Sequence, residues 1–214
     1  MVDYPADTVF ALLARTPEDR PAIGAPGRPW LTHGGLRALA ERTVATLNAA
    51  GIGRGDRVAL VQPNGPDAAT AFATVACGAT TAPLNPGYKK DEFAFYLTDL
   101  GAKALIVQAG LDSPARHVAA ELGIPVMDLE PETDGPAGAF RLLSGASMTG
   151  TAAHPGMAEA QDIALILHTS GTTSRPKIVP LRHINITASA YNIGAALALG
   201  PDDVCMNIMP LFHI

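Results

Sequence analysis

The stretch that decides the fold is IALILHTSGTTSRPK, residues 163–177. Its first five residues are apolar without interruption and partly β-branched, a pattern typical of a strand that is buried on both faces of a parallel sheet. The polar run that follows then lies at the carboxyl end of a strand, which is where open α/β sheets bind ligands. The sequence therefore predicts an α/β fold with a ligand site at this point.

The polar run carries groups that suit a phosphate. Its glycine lets the backbone approach a ligand closely, its hydroxyls and N–H groups can form an anion-binding nest, and its lysine adds a positive charge. The candidate phosphate-binding residues are Thr169, Ser170, Gly171, Thr172, Thr173 and Lys177. Composition alone favours an ordinary polar turn, because most clusters of Ser, Thr and Gly between elements are turns. The run is not a Walker A loop, because Ile178 rather than Ser or Thr follows the lysine.

In order and spacing the run resembles the signature Thr-Ser-Gly-Thr-Thr-Gly-x-Pro-Lys-Gly of the AMP-forming acyl-CoA synthetases, which belong to the adenylate-forming superfamily. Ser174 and Ile178 stand where that family has glycine. The first difference is similar to the variant found in oxalate–CoA ligase-like members. The second places a β-branched residue where the family needs a mobile loop, so we expect it to stiffen that loop.

Further stretches resemble the same family in the same order along the chain. They are residues 80–88 with 91–97, residues 179–185, and residues 209–213, which read MPLFH. The last of these stretches resembles the motif that reaches the family's carboxylate-substrate pocket, so the resemblance implies that His213 binds the substrate. Without it, a lone histidine would be interpreted as a packing or capping residue. The chain is identified as the amino-terminal part of such an enzyme, because the family's remaining motifs would all follow His213.

The resemblance implies two half-reactions. A carboxylate attacks the α-phosphorus of ATP to give an acyl-adenylate and pyrophosphate, and coenzyme A thiolate then takes the acyl group and releases AMP. Lys177 is the catalytic candidate in this chain, because charge that builds on the phosphates must be neutralised. ATP, coenzyme A, a small carboxylic acid and Mg²⁺ are the implied partners, with the Mg²⁺ ligands mainly outside these residues. We expect the 214 residues alone not to catalyse.

Composition narrows the function classes. Hydrophobic residues make up 48% and charged residues 16% of the chain, which indicates a globular protein with apolar surface that favours self-association. The net charge of −5 leaves no basic footprint for nucleic acid. No segment is long and apolar enough to span a membrane, and the acidic start is not a signal peptide. Cys77 and Cys205 lie among apolar residues, which predicts reduced, buried thiols and a cytoplasmic protein.

Helical and strand patterns alternate along the chain. This alternation predicts a mostly parallel, doubly wound sheet flanked by helices. Helices are predicted after Thr8 and over residues 33–50, 66–77, 89–100, 114–122 and 182–199. Strands are predicted over residues 57–61, 80–83, 104–107, 125–129, 163–167 and 204–208.

The chain is expected to divide into an amino-terminal segment, 1–55, that packs on the sheet, and an α/β subdomain, 56–214. Residues 130–160 are a long surface connection with one short strand at 140–143, although a linker between independent domains has the same composition. Three alternatives to a ligase remain open at this point. They are a non-catalytic phosphate- or nucleotide-binding module, an adenylation domain with another acceptor, and an interaction domain.

Overall fold

The computed structural model describes residues 4–145, 148–169 and 176–212. The elements in these ranges are α1 (Val9–Leu13), β1 (Pro21–Ile23), β2 (Leu31–Thr32), α2 (His33–Ala49), β3 (Arg57–Val61), α3 (Pro66–Ala76), β4 (Thr80–Pro83), α4 (Lys90–Leu100), β5 (Ala104–Gln108), α5 (Pro114–Glu121), β6 (Val126–Pro131), β7 (Phe140–Ser144), β8 (Ile163–Thr169), β9 (Lys177–Arg182) and α6 (His183–Ala196). None of these helices combines the length and the apolar character that crossing a bilayer requires.

Seven strands form one sheet in the spatial order β7-β6-β5-β3-β4-β8-β9. The five inner strands are parallel, and each outer strand pairs antiparallel with its neighbour. β4 and β5 lie on opposite sides of β3, so the strand order reverses there. Ligands of open α/β sheets bind at the carboxyl ends of strands beside such a reversal. The predicted α/β fold with a mostly parallel sheet is confirmed.

Alternate residues of β3 enter two separate core layers. Val58 and Leu60 pack with α2 and α3 in one layer, whereas Ala59 and Val61 pack with α4 and α5 in the other. All four are buried. Successive strand side chains point to opposite faces. An uninterrupted apolar run therefore fits a strand that has helices on both sides, which is the arrangement that the sequence predicted.

Local capping explains where several helices begin and end. Thr8 and Thr32 each accept a hydrogen bond, 3.1 Å long, from the backbone N–H three residues later, and so satisfy a free donor at the start of α1 and α2. α4 ends where Gly101 adopts the left-handed conformation with φ +58°. These boundaries agree with the predicted ones.

The long connection after β6 packs on the rest of the molecule. Its predicted short strand is confirmed as β7, which closes one edge of the sheet. Further along, the Arg54 N–H donates to the His154 carbonyl at 2.8 Å, and the Ala158 N–H donates to the Cys77 carbonyl at 2.7 Å. These bonds hold the connection against the ends of α2 and α3.

The structure differs from the sequence prediction mainly near the carboxyl end. Residues 177–182 form a strand, β9, that was not predicted, and the β1–β2 hairpin was also missed. The predicted strand over 204–208 is wrong, because residues 203–208 form neither helix nor strand and are exposed. Cys205 is therefore exposed rather than buried. An alternating apolar pattern cannot form a strand without a neighbour to share hydrogen bonds.

Candidate functional site

The hairpin of β8 and β9 carries the predicted phosphate-binding run at its closed end. The last residue pair of the hairpin is Thr169 and Lys177, which lie directly opposite one another. Cross-strand pairs project to the same face of a sheet. The Thr169 hydroxyl donates to the Lys177 carbonyl at 3.5 Å, and Lys177 is exposed. These two residues therefore flank the entrance to the loop that joins them.

The other predicted site residues cannot be placed in this geometry. Ser170, Gly171, Thr172 and Thr173 lie outside the described residues, as does His213. The structure therefore brings together Thr169 and Lys177 from the predicted set.

Two buried threonines of β4 tie the hairpin to the centre of the sheet. The Thr80 hydroxyl donates to the Ile163 carbonyl at 2.7 Å, and the Thr81 hydroxyl donates to the Ala164 carbonyl at 2.8 Å. Both threonines are buried. Because these side chains add to the ladder between β4 and β8, they attach the amino end of β8 to the centre of the sheet.

The second predicted motif, residues 209–213, approaches the same edge of the sheet. The Leu211 N–H donates to the Asn64 side-chain oxygen at 2.9 Å, just beyond the carboxyl end of β3. β3, β4 and β8 are consecutive parallel neighbours. Strands in a sheet are ~4.8 Å apart, so the ends of β3 and β8 are about 10 Å apart. The structure thus brings the described part of this motif to the edge of the sheet at which β8 ends, where the predicted phosphate-binding run begins.

A small cavity lies beside Leu211 at this edge. It has a volume of about 20 Å³ and is bordered by Gln62, Phe72 and Leu84 among others. Gln62 is buried, and neither atom of its amide has a hydrogen-bond partner among the described residues. A space of this size holds one water molecule.

An aromatic cluster holds the end of β8 on the opposite face. The His168 ring lies edge-on to Tyr96, with ring centroids 4.8 Å apart, and Tyr96 stacks on Tyr88 at the same separation. The His168 Nε2 atom lies 3.2 Å from an Asp99 carboxylate oxygen. His168 thus both packs at the end of the strand and makes a hydrogen bond. Asp99 was not foreseen, although Tyr96 and Asp99 stand three residues apart and therefore share a face of α4.

The protonation of His168 follows from its surroundings. Burial disfavours the charged ring and lowers the pKa of His168, while the Asp99 carboxylate opposes this shift. An ionised carboxylate only accepts hydrogen bonds, so the Nε2 atom must carry the hydrogen. At neutral pH the ring is therefore neutral and donates to Asp99.

Ile178 is a strand residue rather than a loop residue. It pairs with His168 across the hairpin and packs against the core layer that contains α4. A β-branched side chain suits a partly buried strand position. Ile178 therefore lies in β9 rather than in the loop, and the expected stiffening of the loop stays a prediction.

A sequence profile of the family of AMP-binding enzymes matches residues 10–214. The chain belongs to this family. It is 39% identical over 221 aligned residues to the oxalate–CoA ligase of Arabidopsis thaliana, covering 98% of this chain and 41% of that protein. It is 38% identical over 205 residues to a probable CoA ligase, CCL9, of Humulus lupulus, covering 92% of this chain and 38% of that one.

A solved structure shows the same fold. The crystal structure of apo MatB from Rhodopseudomonas palustris superposes with a TM-score of 0.77 at 28% identity, covering 97% of this chain and 41% of that chain. The chain thus spans about two fifths of the length of these AMP-binding relatives.

Proposed function

We propose that this chain supplies the phosphate-binding loop of an AMP-forming acid–CoA ligase. The observation that carries the proposal is the pairing of Thr169 with Lys177 at the carboxyl end of β8. This pairing places a hydroxyl and an ammonium group on either side of a short run rich in hydroxyls and N–H groups. The named relatives are CoA ligases, which supports the same reaction class.

In the proposed first step, a carboxylate oxygen of the acid attacks the α-phosphorus of ATP, and the bond to the β-phosphate breaks. Pyrophosphate leaves and an acyl-adenylate remains. Lys177 and the hydroxyls of Thr169, Ser170, Thr172 and Thr173 hold the β- and γ-phosphates. They stabilise the charge that builds on the leaving group, because donors that are fixed in advance need no reorganisation during the reaction.

In the proposed second step, the thiolate of coenzyme A attacks the acyl carbonyl, and AMP leaves with the electrons of the broken bond. The acid is a small carboxylic acid, for which the oxalate–CoA ligase relative offers one example. His213 contacts this acid in the proposal. Leu211 supports that role, because its N–H bond to Asn64 brings the motif to the same edge as Thr169.

The ligands of Mg²⁺ lie mainly outside these 214 residues in the proposal. In residues 4–145, 148–169 and 176–212, no three side chains of the kinds that ligate metals lie together. Mg²⁺ would neutralise phosphate charge when bound.

The proposal extends to the organisation of the chain. Residues 1–55 are an amino-terminal segment packing on the sheet, and residues 56–214 are the α/β subdomain. Contacts of α1 and α2 with α3 support this arrangement. Because the chain spans about two fifths of its relatives, we expect the 214 residues to bind pyrophosphate without completing the reaction.

Calorimetric titration of the 214-residue chain with pyrophosphate tests the proposal. Lys177→Ala should weaken binding about tenfold or more, because a hydrogen bond to a charged group contributes about 1.5–3 kcal/mol. The matched control is Lys103→Ala, because Lys103 is half exposed and precedes β5 at the amino end of the strands. We expect the control to bind like the wild type.

Two results would contradict the proposal. Equal affinity of Lys177→Ala and the control would remove Lys177 from the site. No pyrophosphate binding by the wild type at low salt would exclude the phosphate-binding role. Carboxylate-dependent exchange of labelled pyrophosphate into ATP addresses catalysis, and robust exchange by the 214 residues would show that they contain a complete active site.

A further inference from the structure

We propose that His168 is a positioning residue of the phosphate-binding loop, held in place by Asp99 of α4. This inference rests on the proposed function, because it concerns the geometry of the same loop. It assigns to the residue before Thr169 the task of orienting the end of β8. Asp99, which is 69 residues away in sequence, becomes part of the supporting structure of the site.

The end of β8 has a local geometry that links the orientation of His168 to that of Thr169. His168 is the last residue but one of β8, which ends at Thr169. Its side chain is only 6% exposed although it lies at the end of the strand. Ile166 belongs to the core layer on the α4 side, and His168, two residues later, points to the same side. Thr169 therefore points to the opposite face, together with Lys177. Any rotation of the strand at His168 changes the direction of Thr169.

The contacts of His168 with Tyr96 and Asp99 are directional. Tyr96 meets the His168 ring edge-on, and Asp99 accepts the hydrogen of Nε2. The ring is thus restrained in position by an aromatic neighbour and in rotation by a hydrogen bond. Packing alone would restrain only its position. Side chains that support a binding site act in this way, by locking the rotamers of their neighbours.

Few other contacts among the described residues restrain the end of β8 that carries His168. Opposite His168 stands Ile178, which packs on the same core layer. The threonine hydroxyls of β4 reach the carbonyls of Ile163 and Ala164, at the other end of β8. The bond between His168 and Asp99 therefore restrains the end of the strand that these hydroxyls do not reach.

Two amide substitutions separate the hydrogen bond from packing. The side-chain nitrogen of glutamine reaches about as far as Nε2, whereas that of asparagine reaches only about as far as Nδ1. His168→Gln can therefore still donate to Asp99, and His168→Asn cannot. Asp99→Ala removes the acceptor from the other side, at a carboxylate that is 39% exposed. Asp91→Ala, at an exposed carboxylate in the first turn of the same helix, is the matched control.

The measurement is pyrophosphate affinity of the 214-residue chain by calorimetry, with urea unfolding of each variant. We expect His168→Asn and Asp99→Ala to weaken binding about five- to tenfold, since small misplacements of binding groups are costly. His168→Gln and Asp91→Ala should stay within about twofold of the wild type. The double variant of His168→Asn with Asp99→Ala should bind no worse than either single variant, because both remove one interaction.

The outcomes distinguish this inference from the function on which it rests. No pyrophosphate binding by the wild type overturns the proposed function, and this inference with it. Wild-type binding with unchanged affinity in His168→Asn and Asp99→Ala overturns this inference alone. Equal weakening by His168→Gln and His168→Asn would show that the ring matters for its shape, and would also overturn the role of Asp99.

Discussion

The central strands and the carboxyl-terminal segment of this chain are both apolar, yet they differ in burial. β3 and β5 lie between two helical layers and are almost completely buried. In the carboxyl-terminal segment, Val204, Met206 and Ile208 alternate as strand residues do, but are 74–82% exposed. The comparison shows that an apolar pattern becomes a strand only where other elements provide both a covering layer and a hydrogen-bonding edge.

α6 marks the transition between these two regions. Its buried residues are His183 and Thr187 in its first turns, whereas Ile193 near its end is 53% exposed. The exposed apolar side chains from residue 193 onwards agree with the prediction of apolar surface. Self-association through them stays a prediction.

The largest expected effect comes from emptying the central core. Phe93 is fully buried, and Phe93→Ala should lower the free energy of unfolding by about 3–5 kcal/mol. Met206→Ala removes a side chain of similar apolar character that is 82% exposed, and should change stability by less than about 0.5 kcal/mol. Urea unfolding measures both. Similar losses in the two variants would show that the carboxyl-terminal segment packs after all.

A smaller effect is expected at the link between the central sheet and the hairpin. Thr81→Val keeps the shape of the side chain but removes the hydroxyl that donates to the Ala164 carbonyl. It should cost about 1–3 kcal/mol, because a buried carbonyl loses a partner. Hydrogen exchange should rise in β8 more than in β5. An unchanged exchange pattern would mean that the backbone ladder alone holds the hairpin.

The attachment of α6 should depend on pH. His183 is buried, and its Nδ1 atom accepts a hydrogen bond from the Val9 N–H at 3.1 Å, so the folded state needs the neutral ring. Burial lowers the pKa of His183, although Asp162 and Asp7 oppose this. Below pH 6.5 the unfolded chain therefore binds more protons than the folded one. The contribution of His183 to the free energy of unfolding should be constant well above pH 6.5 and should fall as the pH decreases towards the pKa of the folded state.

His183→Asn provides the comparison for this pH dependence. Its side-chain oxygen can accept from Val9 but does not titrate. Unfolding free energies between pH 8 and pH 5 should fall less steeply in this variant than in the wild type. Burial also lowers the pKa values of His33 and His168, so some slope should remain. Parallel curves for the two proteins would exclude His183 as a contributor.

The smallest effect is expected where the exposed segment touches the amino-terminal region. Arg20 donates to Asp202 at 2.5 Å, but the Asp202 side chain is 88% exposed. Exposed ion pairs contribute about 0–1 kcal/mol and weaken with salt. Asp202→Ala should therefore lower stability by less than about 1 kcal/mol, and 0.5 M salt should remove the difference. A larger, salt-independent loss would indicate that this contact orders the segment.

Sequence patterns predicted the central region well because its signals are local. The run Arg57–Val61 is apolar enough for a strand covered on both faces, and Thr32 caps the helix that covers it. These features depend on residues within one or two turns. The candidate site was predicted less completely. The candidate phosphate-binding run was visible, but the contact of His168 with Asp99 and the bonds from the threonines of β4 to β8 were not, because these partners lie 69 to 83 residues apart.

Sequence by itself determined the α/β class and most helix and strand positions, because periodicity, capping and turns act between near neighbours. The tertiary structure decided that residues 177–182 form an edge strand, that His168 meets Asp99, and that residues 203–208 form no strand. A strand needs a partner edge, and a buried polar side chain needs a partner atom. Both partners come from distant parts of the chain, so only the folded arrangement supplies or withholds them.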